Sequence, residues 1–160
     1  MPFLEIAVHR ASPDDLVALE RLYGLMAVEQ AALHAMWPRA DGLGAPLPAA
    51  LAALVDDAGT AVYVGTIDGV PVGFLTTRVR LLLEDGDRVG VIDYVFTEVD
   101  ARGVGVGEAM LERALADLRA AGLRRFDAFA LPGHRSAKNF FESGGFSARR
   151  LVMHHDDDRE

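Results

Sequence analysis

The sequence predicts a single mixed α/β (α+β) domain. Its centre is a mostly antiparallel twisted sheet of six to seven strands with helices on both faces. Three observations carry this. The chain has 160 residues, 51% apolar and 25% charged, which is one domain's length with matter for a full core. Two turn signals, Asp68-Gly69 and Glu84-Asp85-Gly86-Asp87, join three strand-like runs into a meander, and a meander is antiparallel. A glycine-rich turn, a long amphipathic helix and another strand-like run then follow, the crossover pattern that joins parallel strands.

Each element has its own signal. Leu4 to His9 alternates Leu4, Ile6 and Val8 with polar or small residues, as a strand does. Ser12-Pro13-Asp14-Asp15 offers a cap, a proline suited to the first helical turn, and two carboxylates for the positive end of the dipole. Leu16, Leu19, Leu22, Tyr23 and Met26 then recur at helical spacing. The pattern continues through Glu29, Leu33 and His34 to Trp37, where Pro38 is expected to break it. Arg39 to Pro48 reads as a loop, and Ala49 to Asp57 as a short helix. Ala61–Ile67, Val70–Leu83 and Arg88–Thr97 are the meander strands. The long helix runs from the glycine turn to Ala121, with Met110, Leu111, Ala114, Leu115 and Leu118 as its apolar stripe and Gly122 at its end. A strand over Arg125–Leu131, a short helix over Ser136–Ser143 and a last strand over Ala148–His154 complete the domain, before an acidic tail at 155–160.

Composition excludes several functions. There is no cysteine, so disulfides, thiolate metal sites and cysteine nucleophiles are absent. Sixteen basic against 24 acidic residues give a net charge of −8, unsuited to a general nucleic-acid surface. Fifteen of the basic residues are arginine and only Lys138 is lysine. No apolar run reaches membrane-spanning length, and Met1-Pro2-Phe3-Leu4-Glu5 does not read as a signal peptide, so a cytoplasmic protein is expected. His154-His155-Asp156-Asp157-Asp158 has metal-ligand chemistry, but a terminal tail offers little preorganisation, and no metal is expected.

The most informative stretch is Arg102-Gly103-Val104-Gly105-Val106-Gly107-Glu108, between a strand and a helix. Glycines let backbone approach a ligand closely, and the free N–H groups of a first helical turn favour an anion. Glu108 and Met110 stand where a dinucleotide fingerprint needs glycine or alanine, and no lysine supplies a P-loop. A tight turn without a ligand is the alternative.

Arg102-x-x-Gly105-x-Gly107 resembles the acyl-CoA pyrophosphate loop of the GCN5-related N-acetyltransferase (GNAT) family. Ile92 to Ala101 is similar to that family's fourth strand and its approach to the loop. Ala137-Lys138-Asn139-Phe140-Phe141-Glu142-Ser143-Gly144-Gly145-Phe146 resembles its C-terminal motif. The order of elements matches over most of the chain, least between Met26 and Asp57. The resemblance implies a GNAT-like fold and an enzyme that moves acetyl from acetyl-CoA to a primary amine of a small molecule or peptide by direct attack. A non-catalytic acyl-CoA-binding module is the competing implication. Val95, Phe96 and Thr97 would run along the pantetheine arm. Arg102, Gly103, Val104, Gly105, Val106, Gly107 and Glu108 would surround the pyrophosphate. No nucleic acid or membrane partner is implied; relatives often dimerise, so a homodimer is an expectation.

The sequence departs from the family at its acid. Phe141 stands where relatives keep a tyrosine, His134 where they commonly keep an asparagine, and Phe129 near a carboxylate some relatives use as base, with Asp127 the nearest acid. An alkylammonium of pKa about 10.4 must lose a proton before it attacks, so a base matters more than an acid. Asp93 is the first candidate base, with exposure to solvent or a turn cap as its other reading. Tyr94 is an alternative proton donor, on the opposite face unless a bulge intervenes. His134 is an acid, a water relay, a pantetheine contact or simply exposed. Phe141 is placed beside the cofactor by position. The Val95 backbone N–H is a candidate oxyanion donor. Lys138 is read as a phosphate contact or a solvated residue, and Trp37, with Arg39 and Asp41, as pocket lining or core.

Overall fold

The structure is a computed structural model and describes residues 3–84 and 86–158. Five strands lie in chain order in one sheet: β1 (Ile6–Arg10), β2 (Thr60–Ile67), β3 (Val70–Leu81), β4 (Arg88–Thr97) and β5 (Arg125–Ala128). β1 to β4 pair antiparallel, and β5 joins β4 in parallel. Between β1 and β2 come α1 (Leu16–Leu33), α2 (Trp37–Ala40) and α3 (Leu47–Asp56). Helix α4 (Val106–Ala120) is the crossover to β5, and α5 (Arg135–Ser143) follows it. The mixed α/β class is as expected, with five strands in place of six or seven.

Both sheet faces are covered. Leu19, Leu22 and Met26 of α1, Trp37 of α2 and Leu51 of α3 pack on Val62, Val64, Phe74 and Phe96. On the other face Met110, Leu111, Ala114 and Leu115 of α4 and Phe141 of α5 pack on Tyr63, Leu75 and Ile92. Alternation along the strands divides their side chains between these two cores. The Asp68-Gly69 turn behaves as its residues require, both taking positive φ (49° and 80°) between β2 and β3.

Several boundaries differ from expectation. β1 starts at Ile6 and α1 ends at Leu33, where His34 is extended. Pro38 sits in the first turn of α2, where its missing N–H costs nothing, so it opens a helix and does not break one. β3 ends at Leu81. β5 stops at Ala128 and Ala148–His154 forms no strand. A strand needs a ladder, and β5 offers only a four-residue edge. Arg149 instead meets β5 by its side chain, forking Asp127 at 2.9 and 2.5 Å, and Leu151, Val152 and Met153 stay exposed. Met1, Pro2, Asp85, Arg159 and Glu160 lie outside the described residues, and with them the very start, the centre of the second hairpin turn and the end of the tail. Among the described residues, no helix is long and apolar enough to cross a membrane.

Candidate active site

The site begins with one extra residue. Thr76 pairs with Tyr94 and Thr77 with Ile92, so Asp93 is the surplus residue of a β-bulge in β4. The bulge interrupts the alternation, and Asp93 and Tyr94 do not divide between the faces as a regular strand would require. The Tyr94 ring joins the α1–α3 core, edge-on to Tyr23 and Trp37. Asp93 accepts a hydrogen bond from Arg78 Nε at 2.7 Å. Arg78 stands across from Val91 on the neighbouring strand.

Just past the bulge the sheet opens. β4 and β5 pair only from Val89–Arg125 to Ile92–Ala128. Beyond that point, among the described residues, the β5 side of β4 has no strand against it. Val95, Phe96 and Thr97 line a cleft of about 360 Å³ there, together with Val106, Gly107 and Glu108 of α4 and Ser136, Asn139 and Phe140 of α5. Arg102, Gly103 and His134 also border it.

The glycine turn is built as the sequence requires. Gly105 caps α4 with φ 103°, the left-handed region that side-chain-bearing residues avoid. A Cβ on Gly107 would come within 3.1 Å of Phe140 Cε2, so the absence of a side chain there lets the Phe140 ring of α5 pack closely against the head of α4. The N–H groups of this first turn have no intrahelical partner and sit at the positive end of the dipole.

One cluster crosses the cleft mouth that sequence reasoning did not single out. Glu29 of α1 meets His134 Nε2 at 3.2 Å through one oxygen and accepts from Arg102 Nη2 at 2.7 Å through the other. Arg102 also donates from Nε to the Thr97 carbonyl at 2.8 Å and lies over the Phe96 ring. His134 Nδ1 is buried with no partner among the described residues. The signal in the sequence was polar Glu29-Gln30 near the end of a helix whose other charged residues are Glu20 and Arg21.

The other expected residues are placed as follows. The Tyr94 hydroxyl donates to the Asp41 carbonyl at 2.7 Å. Burial first, then the neighbouring Tyr23, Asp93 and Asp41, push this phenol far above its ordinary range. Neither Asp93 nor Tyr94 is among the cleft-lining residues, nor are Val104 and Gly105. Phe141 is buried between Phe140 and Phe146, at ring separations of 5.1 and 5.3 Å, and Phe140 lines the cleft. Phe129 is 55% exposed, Trp37 belongs to the core, and Lys138 pairs with Glu142 at 3.7 Å on the surface. Asp127 is held below the usual carboxylate range, chiefly by its hydrogen bonds from Arg149. Among the described residues, no group of three or more side chains is arranged to hold a metal.

This layout can be compared with known proteins. The family model described as Acetyltransferase (GNAT) family matches residues 25–146. The chain belongs to the GNAT acetyltransferase family. No curated protein matches it. Among solved structures it is similar to a transcriptional regulator from Bacillus halodurans (21% identity, covering 94% of this chain and 100% of that one, TM-score 0.76). It is also similar to a ribosomal-protein-alanine N-acetyltransferase from Brucella melitensis (16%, 95% and 99%, 0.72). A third is the aminoglycoside acetyltransferase AAC(6')-Iy, in complex with a CoA-containing bisubstrate analogue (18%, 95% and 98%, 0.71). At these identities the likeness is one of GNAT fold. A CoA-type ligand suits the cleft on the structure's own terms: an open strand edge, open space beside Gly103, and a buried ring nitrogen at His134 left unpartnered among the described residues.

Proposed function

We propose that the protein transfers an acetyl group from acetyl-CoA to a primary amine by direct attack. The observation that carries this reading is the cleft itself, where an unpaired stretch of β4, the glycine-opened head of α4 and the face of α5 meet. Bound there, acetyl-CoA supplies an activated acyl group and a thiolate leaving group. Val95 to Thr97 offer backbone groups along one side, as an edge strand does to an added strand. Val106, Gly107 and Glu108 direct N–H groups at the phosphates. The Val95 N–H is the oxyanion donor.

The acid–base work divides between the two sides of β4. Asp93, beside Arg78, attracts the incoming ammonium and takes its proton. His134 lines the cleft, is oriented by Glu29, and returns a proton to the thiolate, the role a phenol at position 141 would otherwise have. A thiol of pKa about 8.5 leaves tolerably without full protonation, so Phe141 does not stop the reaction. Phe141 does favour a second reading, an acyl-CoA-binding module without turnover. A panel of primary amines with free-CoA release as readout separates the two. CoA release with at least one amine supports transfer. Binding of acetyl-CoA with no release from any amine leaves the binding module.

A further inference from the structure

In a chain of net charge −8, four arginines converge on one cavity. The cavity is about 200 Å³ and opens beside β5; Arg78, Arg80, Arg149, Arg150, Asp127 and Phe129 are among its walls. Arg149 forks Asp127, Arg80 reaches the same carboxylate at 3.5 Å, and Arg78 is joined to Asp93 at 2.7 Å. Arg150 has no ion pair or hydrogen bond among the described residues and acts on Asp127 only from farther off. Two carboxylates therefore face four guanidinium groups. Like charges brought together repel, and an acidic ligand is what offsets the surplus. The fork of Arg149 on Asp127 shows that carboxylate geometry fits this wall.

The cavity and the cleft share a strand. Val91 lines the first and Val95 the second, with Asp93 midway. At about 3.3 Å per residue, two to four residues separate the ends by roughly 7–13 Å. Arg78, Val91 and Asp127 are cross-strand neighbours, so the cavity and Asp93 with its Arg78 partner lie on connected ground.

Resting on the acetyl-transfer reading above, we propose that this cavity holds a carboxylate of the acceptor, whose amine lies toward Asp93 and Val95. The acceptor class is then an amine bearing a carboxylate at about the reach of ω-aminohexanoate, and the field disfavours polycationic amines.

The test measures binding and turnover separately. Binding of N-acetyl-ω-aminohexanoate and its neutral alcohol counterpart is titrated in the presence of CoA, at low and high salt. CoA release is followed with ω-aminohexanoate, ω-aminohexanol and the matching diamine. The acid is expected to bind about tenfold tighter than the alcohol, the worth of one charge-assisted hydrogen bond, with the preference shrinking in high salt. Arg150→Gln removes no pairing on which the fold rests, and it should reduce the preference several-fold. Equal binding of acid and alcohol overturns the proposal, as does a preference that Arg150→Gln leaves intact or a best substrate that is the diamine. If the acid binds selectively but no amine releases CoA, the carboxylate site stands and the acetyl-transfer reading fails. If acid and alcohol are acetylated equally, transfer stands and the site falls.

Discussion

Asp93 occupies the one position where β4 has a residue to spare, and that is what frees its carboxylate from the regular alternation. One oxygen is engaged by Arg78; the other has no hydrogen bond among the described residues. Asp93→Asn keeps the size and removes the basicity. We expect turnover to fall on the order of 10²-fold with acetyl-CoA affinity little changed, read from steady-state kinetics beside a binding titration. Full activity in Asp93→Asn across the pH range would take Asp93 out of the reaction. Phe141→Tyr adds a hydroxyl to a ring packed between Phe140 and Phe146 in the core. A buried hydroxyl without a partner costs about 1–3 kcal/mol, so this variant should unfold at lower temperature and gain no rate. A rise in turnover would show that the ring can swing into the cleft. The type of residue at 93, 134 and 141 was legible in the sequence. Their surroundings were not: Glu29 comes from α1, far from His134 in the chain, and Arg78, on the neighbouring strand, meets Asp93 at a bulge that no sequence pattern announces.

At the scale of elements, the head of α4 and its seam with β2 make the clearest cases. Gly107→Val places a branched side chain against Phe140 and over the cleft floor. Acetyl-CoA binding should be lost while circular dichroism stays that of the native fold. Gly105→Val meets a φ of 103° and should also destabilise the protein, by about 1–3 kcal/mol. Wild-type affinity in both would place the phosphates elsewhere. At the seam, the Tyr63 hydroxyl donates to Asp117 at 2.7 Å. Burial first, then this bond, pushes the Tyr63 phenol up to about 12. A raised phenol means that the fold favours the neutral form. That contribution is whole below the ordinary value of about 10 and is lost as pH rises toward 12. Thermal unfolding of Tyr63→Phe should therefore fall less steeply than wild type between these limits. An identical slope would mean that the Tyr63–Asp117 bond does not carry this dependence. The glycine turn, the meander and α4 were legible because local chemistry sets them. The strand expected at Ala148–His154 was misjudged because an apolar run, Leu151-Val152-Met153, is not enough without a neighbour to pair with: β5 ends after four residues and has no edge to offer there.

For the molecule as a whole, two cores clamp one sheet, and the cleft opens only where β4 and β5 stop pairing. The family and its mixed α/β class were legible from two motifs in the right order. The acceptor side was not, since its walls come from β3, β5 and the chain after α5, which no local pattern joins. A ligand held in the cleft must stabilise the native state. At one hundred times its dissociation constant the gain is about 2.7 kcal/mol, which for a domain of this length is a rise of roughly 5–11 °C in unfolding temperature. The decisive measurement is thermal unfolding of the wild-type protein with acetyl-CoA, NAD or ATP at saturating concentration. A rise of that size with acetyl-CoA, and none with NAD or ATP, is the predicted result. No rise with acetyl-CoA, or an equal one with all three, would contradict the assignment of this cleft.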